Sequence, residues 1–406
     1  MSQDMKNKKL LGINSLGRIG KQLLWNMIHL RHFDGVVVNC GREVGKKLDD
    51  LIQIIEHDST YGSIHKFLFG MVGRKAEIKI LDAEQQLFSI EGIPVKVLRT
   101  ARNPKDIDWL KEGVKIVVDC TGQFTDPNAT SDQGKPCLRG HLEAGALKVI
   151  NSAPFKSKSA HVHASPDAIT MIYGINHLDY NPAQHHVISA ASCTTTGLAH
   201  LMKPLLEHED TAKIMTAYMS TIHAATNTQS ILDNIPKAGA SDLRKSRSML
   251  NNIILSTTGA AKALELVIPK IKSVGFMADS VRIPTSTVSL INLNLTLQTR
   301  VDKKGNPVLS GEFINRIYKD AAAGPQKDLL VYTERQNVSA DMIGTRASVV
   351  LEAHETHIRT FFMPIPGGEG TVPVSHARIC GWYDNELGSY TYSLSKLVQY
   401  IDETLP

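Results

Sequence analysis

The stretch that decides the fold lies at residues 9–39 and reads KLLGINSLGRIGKQLLWNMIHLRHFDGVVVN. Residues 9–14 form a short apolar run that is typical of a buried strand, and residues 21–32 carry apolar side chains at helical spacing. Residues 36–39 form a second apolar run, as a parallel strand buried on both faces should. Strand, glycine-bearing turn, helix and strand within about 30 residues make a βαβ unit. The stretch therefore predicts a parallel α/β domain.

The turn between the first strand and the helix carries Gly17 and Gly20, and Ser15 stands where a G-x-G-x-x-G motif has its first glycine. Glycines at such a turn let the backbone approach a pyrophosphate, which the free N–H groups of the helix N-terminus then bind. A glycine-rich turn without a ligand has the same appearance. The pattern by itself leaves both interpretations open.

The residue after the second strand is Cys40, followed by Gly41 and Arg42. An acidic residue at this position normally binds the ribose hydroxyls of NAD, whereas a small neutral residue with a nearby arginine admits the 2′-phosphate of NADP. Arg42 at this position indicates tolerance of NADP. The alternative is that Arg42 is a solvated loop residue.

Composition and charge exclude several classes of protein. The chain has 406 residues, 42% of them hydrophobic, which suits two or three globular domains and excludes a disordered tail, a collagen-like fibre and a small disulfide scaffold. Lys and Arg number 45 against 40 Asp and Glu, so the net charge of +5 fits a small anionic substrate and does not indicate nucleic acid. No apolar run is long enough for a membrane span, and the first residues lack the apolar core of a signal peptide.

The five cysteines are widely spaced and include no C-x-x-C pair. This pattern argues against a disulfide framework and against a metal site, and it favours a reducing, cytoplasmic location.

Parallel βαβ units come first in the chain and longer strands and helices follow, which predicts an α/β domain and then an α+β domain. Further strands are predicted at 115–119, 148–151, 169–173, 186–189, 213–222 and 288–297, helices at 194–207, 251–267 and 393–404, and exposed or irregular loops at 126–139, 156–163 and 233–247. The predicted boundaries are residues 1–191 for the first domain, with a C-terminal helix within 383–406 returning to it, and residues 192–382 for the second.

Cys193 lies between a strand end and the threonine-rich start of a predicted helix. A thiol at a helix N-terminus has its thiolate stabilised by the helix dipole and by backbone N–H groups, which suits a nucleophile. A thiol nucleophile needs a base, and His223 at the end of a predicted strand is a candidate. The chain has 16 histidines, and a buried structural cysteine beside a helix cap remains the alternative.

Together these residues resemble the phosphorylating glyceraldehyde-3-phosphate dehydrogenase family. The matching motifs run in the family's order from near residue 10 to near residue 390: Gly12-Ile13-Asn14 with Gly17-Arg18-Ile19-Gly20, His57-Asp58-Ser59-Thr60-Tyr61-Gly62, Cys120-Thr121-Gly122, Ser152-Ala153-Pro154, Ala191-Ser192-Cys193-Thr194-Thr195, His223-Ala224, Ser256-Thr257-Thr258-Gly259-Ala260-Ala261-Lys262-Ala263, Arg282-Ile283-Pro284-Thr285 and Trp382-Tyr383-Asp384-Asn385-Glu386.

The resemblance implies an N-terminal Rossmann-type dinucleotide-binding domain, an α+β catalytic domain, and oxidation of glyceraldehyde 3-phosphate to an acyl phosphate in glycolysis. Cys193 would form a thiohemiacetal and then a thioester, His223 would pair with the thiolate and take the proton, and the cofactor would be NAD or NADP. The partners would be a small phosphorylated aldehyde, inorganic phosphate and other copies of the chain in a homotetramer, whose interface could include the strand at 288–297.

The candidate cofactor-binding residues are Arg18, Ile19, Cys40, Arg42, Arg102, Thr121, Ser152 and Asn385. The candidate residues for the two phosphates are Ser192, Thr194, Thr226, Arg244, Arg247, Thr258, Gly259 and Arg282. Arginine suits these sites because its planar guanidinium binds two phosphate oxygens at once.

The chain departs from the family pattern at four side chains, Cys40, Thr196, Leu387 and Ser389, and it is several tens of residues longer. The added length falls near 40–50, 126–139, 156–168 and 354–375, and the last region has the Pro and Gly content of a loop. Two alternatives stay open: a dehydrogenase for erythrose 4-phosphate or another phosphorylated aldehyde, and a diverged relative that mainly binds RNA or a protein partner.

Overall fold

The computed structural model describes residues 5, 8–99, 101–156, 164–236 and 238–405. The chain forms two compact units. The first comprises Met1–Ser192 and Thr391–Pro406, and the second comprises Cys193–Tyr390. The chain passes from the first unit to the second after residue 192, one residue beyond the predicted boundary, and it returns to the first unit at residue 391.

Among its described residues before residue 193, the first unit contains one large sheet, a two-stranded hairpin and four α-helices. Its strands are β1 Leu10–Asn14, β2 Gly35–Asn39, β3 His57–Asp58, β4 Gly62–Ser63, β5 Ile78–Asp82, β6 Leu87–Ile90, β7 Ile93–Leu98, β8 Val114–Asp119, β9 Lys148–Asn151, β10 Ala168–Thr170 and β11 Val187–Ser189. Its helices are α1 Arg18–Leu30, α2 Leu48–Glu56, α3 Ile64–Phe69 and α4 Gly140–Glu143.

The large sheet has the order β10-β11-β9-β8-β1-β2-β7-β6-β5. The strands from β10 to β7 pair in parallel, and β6 and β5 continue as an antiparallel edge. Asn14 at the end of β1 lies opposite Asn39 of β2 and Asp119 of β8, so three strands end at one level. The carboxyl edge of such a sheet is where parallel α/β domains bind ligands. The prediction of a parallel α/β domain is confirmed.

The second unit is built on an eight-stranded sheet among its described residues, with helices α5 Cys193–Glu207, α6 Ala260–Val267 and α7 Gly311–Ala323. Its strands are β12 Ile214–His223, β13 Ile254–Thr257, β14 Gly275–Arg282, β15 Ser289–Gln298, β16 Leu330–Thr333, β17 Val349–Glu352, β18 His357–Pro364 and β19 Thr371–Tyr383. A Cβ at Gly381 of β19 would come 2.7 Å from the Leu201 side chain of α5, so a small residue is required where this helix crosses the sheet.

The last helix, α8, spans Tyr390–Glu403 and belongs almost entirely to the first unit. Asp402 accepts hydrogen bonds from Lys9 Nζ at 3.0 Å and lies 2.8 Å from His32 Nε2. Thr391 Oγ1 accepts from Asn26 Nδ2 at 2.8 Å. These contacts hold α8 against β1 and α1, as the expected return of the C-terminal helix requires.

The continuous helix predicted for residues 251–267 is wrong. Residues Ile254–Thr257 form β13, and the helix α6 begins only at Ala260. Leu255 pairs antiparallel with Val281 of β14. The ladder to a strand distant in the sequence overrides the local helical pattern, which periodicity alone could not reveal.

The loop expected at residues 354–375 is also largely wrong. His357–Pro364 and Thr371–Arg378 form an eight-pair antiparallel hairpin, and the Pro and Gly residues mark only its turn. Phe361 and Phe362 on this hairpin are about half exposed, at 49% and 48%. The loop predicted at 156–163 lies mainly outside the described residues. Within the described ranges, no helix has the length and apolar character needed to cross a membrane.

Candidate active site

The turn after β1 has the geometry that a dinucleotide needs. Ser15 takes a left-handed φ of 85°, and the chain then enters α1 with Gly17 as the N-cap. A Cβ at Gly20 would lie only 1.9 Å from the Ser15 carbonyl oxygen, so only glycine lets the turn close this tightly. No side chain caps α1 at Gly17 and no acid lies in its first turn. The first turn, with Arg18 and Ile19, can therefore receive a pyrophosphate.

A buried hydrogen-bond network centred on Asp119 orders the carboxyl edge of the first sheet. Its carboxylate accepts from Asn14 Nδ2 at 2.7 Å and from the backbone N and hydroxyl of Thr121 at 3.0 and 2.6 Å. His141 Nε2 lies 3.0 Å away, and Trp109 Nε1 donates to His141 Nδ1 at 2.9 Å. Because an indole N–H only donates, His141 Nδ1 carries no proton and its Nε2–H donates to Asp119.

The same carboxyl edge brings together several of the predicted cofactor residues. Ser152 N donates to the Asp119 carbonyl at 3.0 Å, which places Ser152 beside Thr121. Arg102 Nε donates to the Gly41 carbonyl at 3.1 Å, next to Cys40 and Arg42. Burial raises the pKa of the Cys40 thiol to about 11 despite the positive charges of Arg99 and Arg42. Cys40 is therefore a neutral residue at the ribose position, where a carboxylate would exclude a 2′-phosphate.

In the second unit, Cys193 and His223 are brought together by the first turn of α5 and the last residue of β12. The Cys193 Sγ lies 3.8 Å from His223 Nε2. Ala191, two residues before the thiol, takes a left-handed φ of 55°. The chain thus turns sharply from β11 into α5 and places the thiol at the helix N-terminus.

The ring of His223 is fixed from both sides. Its Nδ1 lies 2.7 Å from the Ala224 carbonyl oxygen, which can only accept, and it also contacts Arg282 Nη1, which can only donate. The Ala224 contact and the Asn385 amide nitrogen next to Nε2 favour the tautomer protonated at Nδ1, whereas the Arg282 contact opposes it. Its Nε2 then offers a lone pair towards Cys193 and accepts from Asn385 Nδ2 at 3.2 Å. Ser289 Oγ hydrogen-bonds Asn385 and the Ala224 backbone N–H, which ties the three segments together. Asn385, expected from the resemblance to bind the nicotinamide, lies beside the imidazole.

Desolvation acts against charge on both members of this pair. Burial, with the positive charge of Arg282 as a second cause, lowers the pKa of His223 to about 3. Burial also raises the pKa of Cys193, and the Glu386 carboxylate adds to the rise, while Thr194 and Arg282 oppose it. The thiolate–imidazolium pair expected from the sequence is therefore opposed by the burial of both groups, whereas the helix N-terminus and Arg282 favour its thiolate.

Arg282 reaches the same site from the end of β14, where it pairs in register with His223. Its Nη1 contacts His223 Nδ1 and lies 3.4 Å from the Ala224 carbonyl. Its Nε is buried and finds no partner among the described residues. A guanidinium with an unused N–H beside the reactive pair can receive an anionic oxygen.

Thr194 differs from expectation, since its hydroxyl turns into the protein. Thr194 Oγ1 and Thr221 Oγ1 each lie 2.8 Å from the Tyr383 hydroxyl. Thr194 is only 4% exposed, so its hydroxyl is enclosed and is not open to a phosphate. Ser192 directly precedes α5 and is half-buried.

Thr226 and Thr258 follow the two strands that flank β14, Thr226 beside its carboxyl end and Thr258 beside its middle. Thr226 follows β12 and its hydroxyl donates to Gln229 Oε1 at 2.7 Å. Thr258 accepts from Ala260 N at 3.2 Å, and the exposed Gly259 is the N-cap of α6. Thr257 pairs with Asp279, three residues before Arg282, or about 10 Å along the strand. This spacing suits two separate anion positions.

Arg244 and Arg247 pair with nearby aspartates and not with Cys193 or His223. Arg244 Nε donates to Asp242 at 2.8 Å and Arg247 Nε donates to Asp233 at 2.9 Å, and both side chains are more than half exposed. Their loop is irregular, as predicted, apart from a 3₁₀ turn at Leu243–Ser246.

Sequence reasoning missed Tyr383 and Asp119 as organising residues. Tyr383 belongs to a recognised motif, but its role as the partner of two threonines depends on strands distant in the chain. Asp119 ends a predicted strand beside Thr121, which is a signal for a polar group at the carboxyl edge of the sheet.

Comparison with known proteins agrees with this geometry. Residues 9–127 match the family profile described as glyceraldehyde 3-phosphate dehydrogenase, NAD binding domain, and residues 192–385 match the profile of the C-terminal domain. Glyceraldehyde-3-phosphate dehydrogenase 1 of Bacillus subtilis (strain 168) is 34% identical over 391 residues, covering 96% of this chain and 97% of that protein. The Streptomyces coelicolor enzyme is 33% identical over 396 residues, covering 97% and 99%. That of Sclerotinia sclerotiorum is 34% identical over 393 residues, covering 97% of each.

Both profiles and these full-length relatives agree with the Rossmann-type first unit, the use of NAD or NADP, and the catalytic second unit. The matched regions include the turn after β1 and the Cys193–His223 pair. The chain therefore belongs to the glyceraldehyde-3-phosphate dehydrogenase family and is a dehydrogenase of that family.

Proposed function

We propose that this chain oxidises glyceraldehyde 3-phosphate to 1,3-bisphosphoglycerate with NAD or NADP and inorganic phosphate. The observation that carries the proposal is the 3.8 Å contact between Cys193 Sγ and an imidazole nitrogen of His223 that is held ready to accept a proton. A nucleophile within reach of a fixed base is the arrangement that covalent aldehyde oxidation needs.

In the first half of the reaction, His223 Nε2 takes the thiol proton as Cys193 Sγ forms a bond to the aldehyde carbon. The proton returns to the oxygen of the resulting thiohemiacetal. The lowered pKa of His223, about 3, leaves its Nε2 lone pair unprotonated before the aldehyde binds. A general base works best with a pKa near the operating pH, so the developing thiolate beside His223 must raise this pKa for the proton to be taken.

In the second half, His223 removes the hydroxyl proton of the thiohemiacetal, and oxidation leaves an acyl thioester on Cys193. NAD or NADP, when bound, supplies the hydride acceptor for this step. A phosphate oxygen then attacks the thioester carbon, the carbon–sulfur bond breaks and the acyl phosphate leaves. The Cys193 thiolate takes the proton held by His223, which restores the starting pair, and the proton lost by the phosphate passes to solvent. Covalent attachment retains the energy of oxidation in the thioester.

Two anions must be held during this sequence. Arg282, with its unused Nε–H, is the group nearest the reacting atoms that can receive a phosphate. Gly259 at the N-terminus of α6 and the adjacent Thr258 support a second position. Arg244 and Arg247 would join either anion by exchanging their exposed Asp242 and Asp233 partners for phosphate oxygens.

The deciding experiment measures NADH or NADPH formation with glyceraldehyde 3-phosphate, with and without inorganic phosphate. With phosphate we expect steady turnover. Without phosphate we expect a burst of about one NAD(P)H per active site, since the thioester accumulates when nothing removes it. Cys193→Ser should abolish both, whereas Cys137→Ser, which changes a buried thiol of the first unit, should retain both.

Turnover that survives in Cys193→Ser would refute the thioester route, and no turnover with either cofactor would refute the enzyme assignment. Erythrose 4-phosphate in the same assay tests the rival substrate, which a higher kcat/KM would favour. The homotetramer and the cytoplasmic location belong to the same proposal, and light scattering of the purified protein tests the former.

A further inference from the structure

The first unit contains a buried cation that the dehydrogenase chemistry does not use. Arg99 directly follows β7, and its side chain is only 9% exposed. Its Nη1 donates to the Val44 carbonyl at 3.0 Å and to Glu43 Oε2 at 3.2 Å. Its Nε and Nη2 are buried and have no hydrogen-bond partner among the described residues. A charged guanidinium with unused N–H groups is costly to bury, and the exposed Glu43 carboxylate reaches only Nη1, which points to a further acceptor for Nε and Nη2.

Arg99 lies where the ribose end of a dinucleotide is recognised in such sheets. The β7 strand pairs in parallel with β2, and Cys40 N donates to the Leu98 carbonyl at 2.8 Å. The backbone of Cys40 is therefore hydrogen-bonded to Leu98, the residue that precedes Arg99. The end of β2 is the position from which an acidic side chain normally binds the ribose hydroxyls.

A cavity of about 440 Å³ adjoins this strand end. Its lining residues are Glu43, Lys46, Lys47, Leu48, Gln86, Val97, Leu98 and Arg99. Its cations are Arg99 and two lysines, whereas Glu43 is its only acid, and 75% of the Glu43 side chain is exposed. Two more arginines lie near the end of β2. Arg102 Nε donates to the Gly41 carbonyl, and the positive charge of Arg42 acts on Cys40. The cavity therefore has a net positive lining.

We propose that Arg99 binds the 2′-phosphate of NADP in this cavity, with Lys46 and Lys47 as supporting cations and Glu43 as the carboxylate that the phosphate displaces. The inference deepens the proposed function by naming the cofactor, and it rests on the use of NAD or NADP rather than on the thioester route. A phosphomonoester dianion supplies acceptor oxygens to the N–H groups that lack partners. Cys40 contributes by presenting no negative charge.

Calorimetry on the full chain tests the proposal with 2′,5′-ADP and 5′-AMP, which differ only in the 2′-phosphate. We expect the wild-type protein to bind 2′,5′-ADP about tenfold more tightly or better, because hydrogen bonds to charged groups contribute most. Arg99→Gln should bring the two affinities within about threefold, a loss of the charged contact. The control Lys79→Gln removes a positive charge from β5 at an exposed side chain that does not line the cavity, and it should keep the preference.

Glu43→Gln provides a second variant whose effect has the opposite sign. Removing the competing carboxylate should tighten binding of 2′,5′-ADP while leaving 5′-AMP unchanged, so the proposal remains testable if Arg99→Gln does not fold. Inorganic phosphate should compete only weakly with 2′,5′-ADP, since it lacks the nucleoside contacts.

Equal affinities for the two nucleotides in the wild-type protein would overturn the proposal, as would an unchanged preference in folded Arg99→Gln. Competition by inorganic phosphate at the affinity of 2′,5′-ADP would assign the cavity to the free ion and would also overturn it. The same titrations on Cys193→Ser separate this inference from the proposed function, because nucleotide binding does not require the thiol.

Discussion

The carboxyl edge of the first sheet and the Cys193–His223 pair of the second unit treat buried polar groups in opposite ways. Asp119 is completely buried, yet donors from Asn14, Thr121 and His141 surround its carboxylate. His223 is also buried, yet its charged form is opposed by desolvation and by the adjacent Arg282. Hydrogen-bond donors surround the Asp119 carboxylate in the first region. In the second region, burial and Arg282 oppose protonation of His223.

The difference teaches what each region is built for. A satisfied network of buried groups is rigid, so the residues around Asp119 fix the loops that we propose bind the dinucleotide. A reactive pair must change its protonation during each turnover, and full stabilisation of one state would impede the other. The second unit therefore positions the thiol and the imidazole by hydrogen bonds while leaving their charges unsupported.

The largest expected effect breaks the reactive pair. His223→Gln should lower kcat/KM for the aldehyde by about 10²–10⁴, since a positioned general base contributes a factor of this size. The dissociation constant of the cofactor should stay near the wild-type value, because the Asp119 edge is untouched. Stopped-flow measurement of the NAD(P)H burst, with His376→Gln as an exposed control, checks this. A weakened cofactor affinity would show that the two regions are not independent.

The second-largest effect is expected from a change in the turn after β1, the proposed cofactor-binding turn. Gly20→Ala places a Cβ 1.9 Å from the Ser15 carbonyl, so the turn must shift. We expect the free energy of unfolding to fall by about 1–3 kcal/mol, as in other overpacked sites, and the affinity for NAD and NADP to weaken. Urea unfolding and cofactor titration measure the two. Gly275→Ala, where the nearest atom is 3.8 Å away, serves as the stability control. Wild-type cofactor affinity in Gly20→Ala would contradict the role of the turn.

The smallest effect is a pH dependence of stability. The pKa of His223 is about 3 in the folded protein against an ordinary 6.5, so between these values the unfolded chain binds the proton and the folded chain does not. Stability from this residue is therefore present above pH 6.5 and is lost as the pH falls. From pH 7.5 to 5.5 its loss amounts to about 1.4 kcal/mol.

His223→Gln lacks this titration, so its free energy of unfolding should fall less than that of the wild type over the same pH range. Urea unfolding at pH 7.5 and 5.5 for both proteins gives the comparison. An equal loss in the two proteins would mean that the imidazole is protonated in the folded state, contrary to the neutral pair.

The fold was predictable where the local pattern and the final packing agree. The βαβ unit at residues 9–39 is one such region, because its strands are buried on both faces and therefore apolar throughout. Residues 251–267 show the opposite case, since β13 is stabilised by its ladder to β14 and not by its own periodicity. The hairpin formed by His357–Pro364 and Thr371–Arg378 likewise depends on pairing across a turn whose Pro and Gly content dominated the local composition.

The candidate site was predictable in its chemical groups and not in their electrostatics. Motifs identified Cys193, His223 and Arg282, and the structure brings these three together. The suppressed charges, the inward hydroxyl of Thr194 and the unpartnered nitrogens of Arg99 depend on which groups surround each side chain. Burial is a property of the folded chain, so no single-residue signal could reveal them.

By itself, the sequence determined the two-domain α/β plan, the family and the residues able to carry the reaction, because apolar periodicity and ordered motifs are local in the chain. Only the tertiary structure decided that burial opposes charge on the thiol and the imidazole, that donors surround the Asp119 carboxylate and that two N–H groups of Arg99 lack acceptors among the described residues. These properties arise from desolvation and from hydrogen bonds between residues up to 162 positions apart, which act only once the strands are in register.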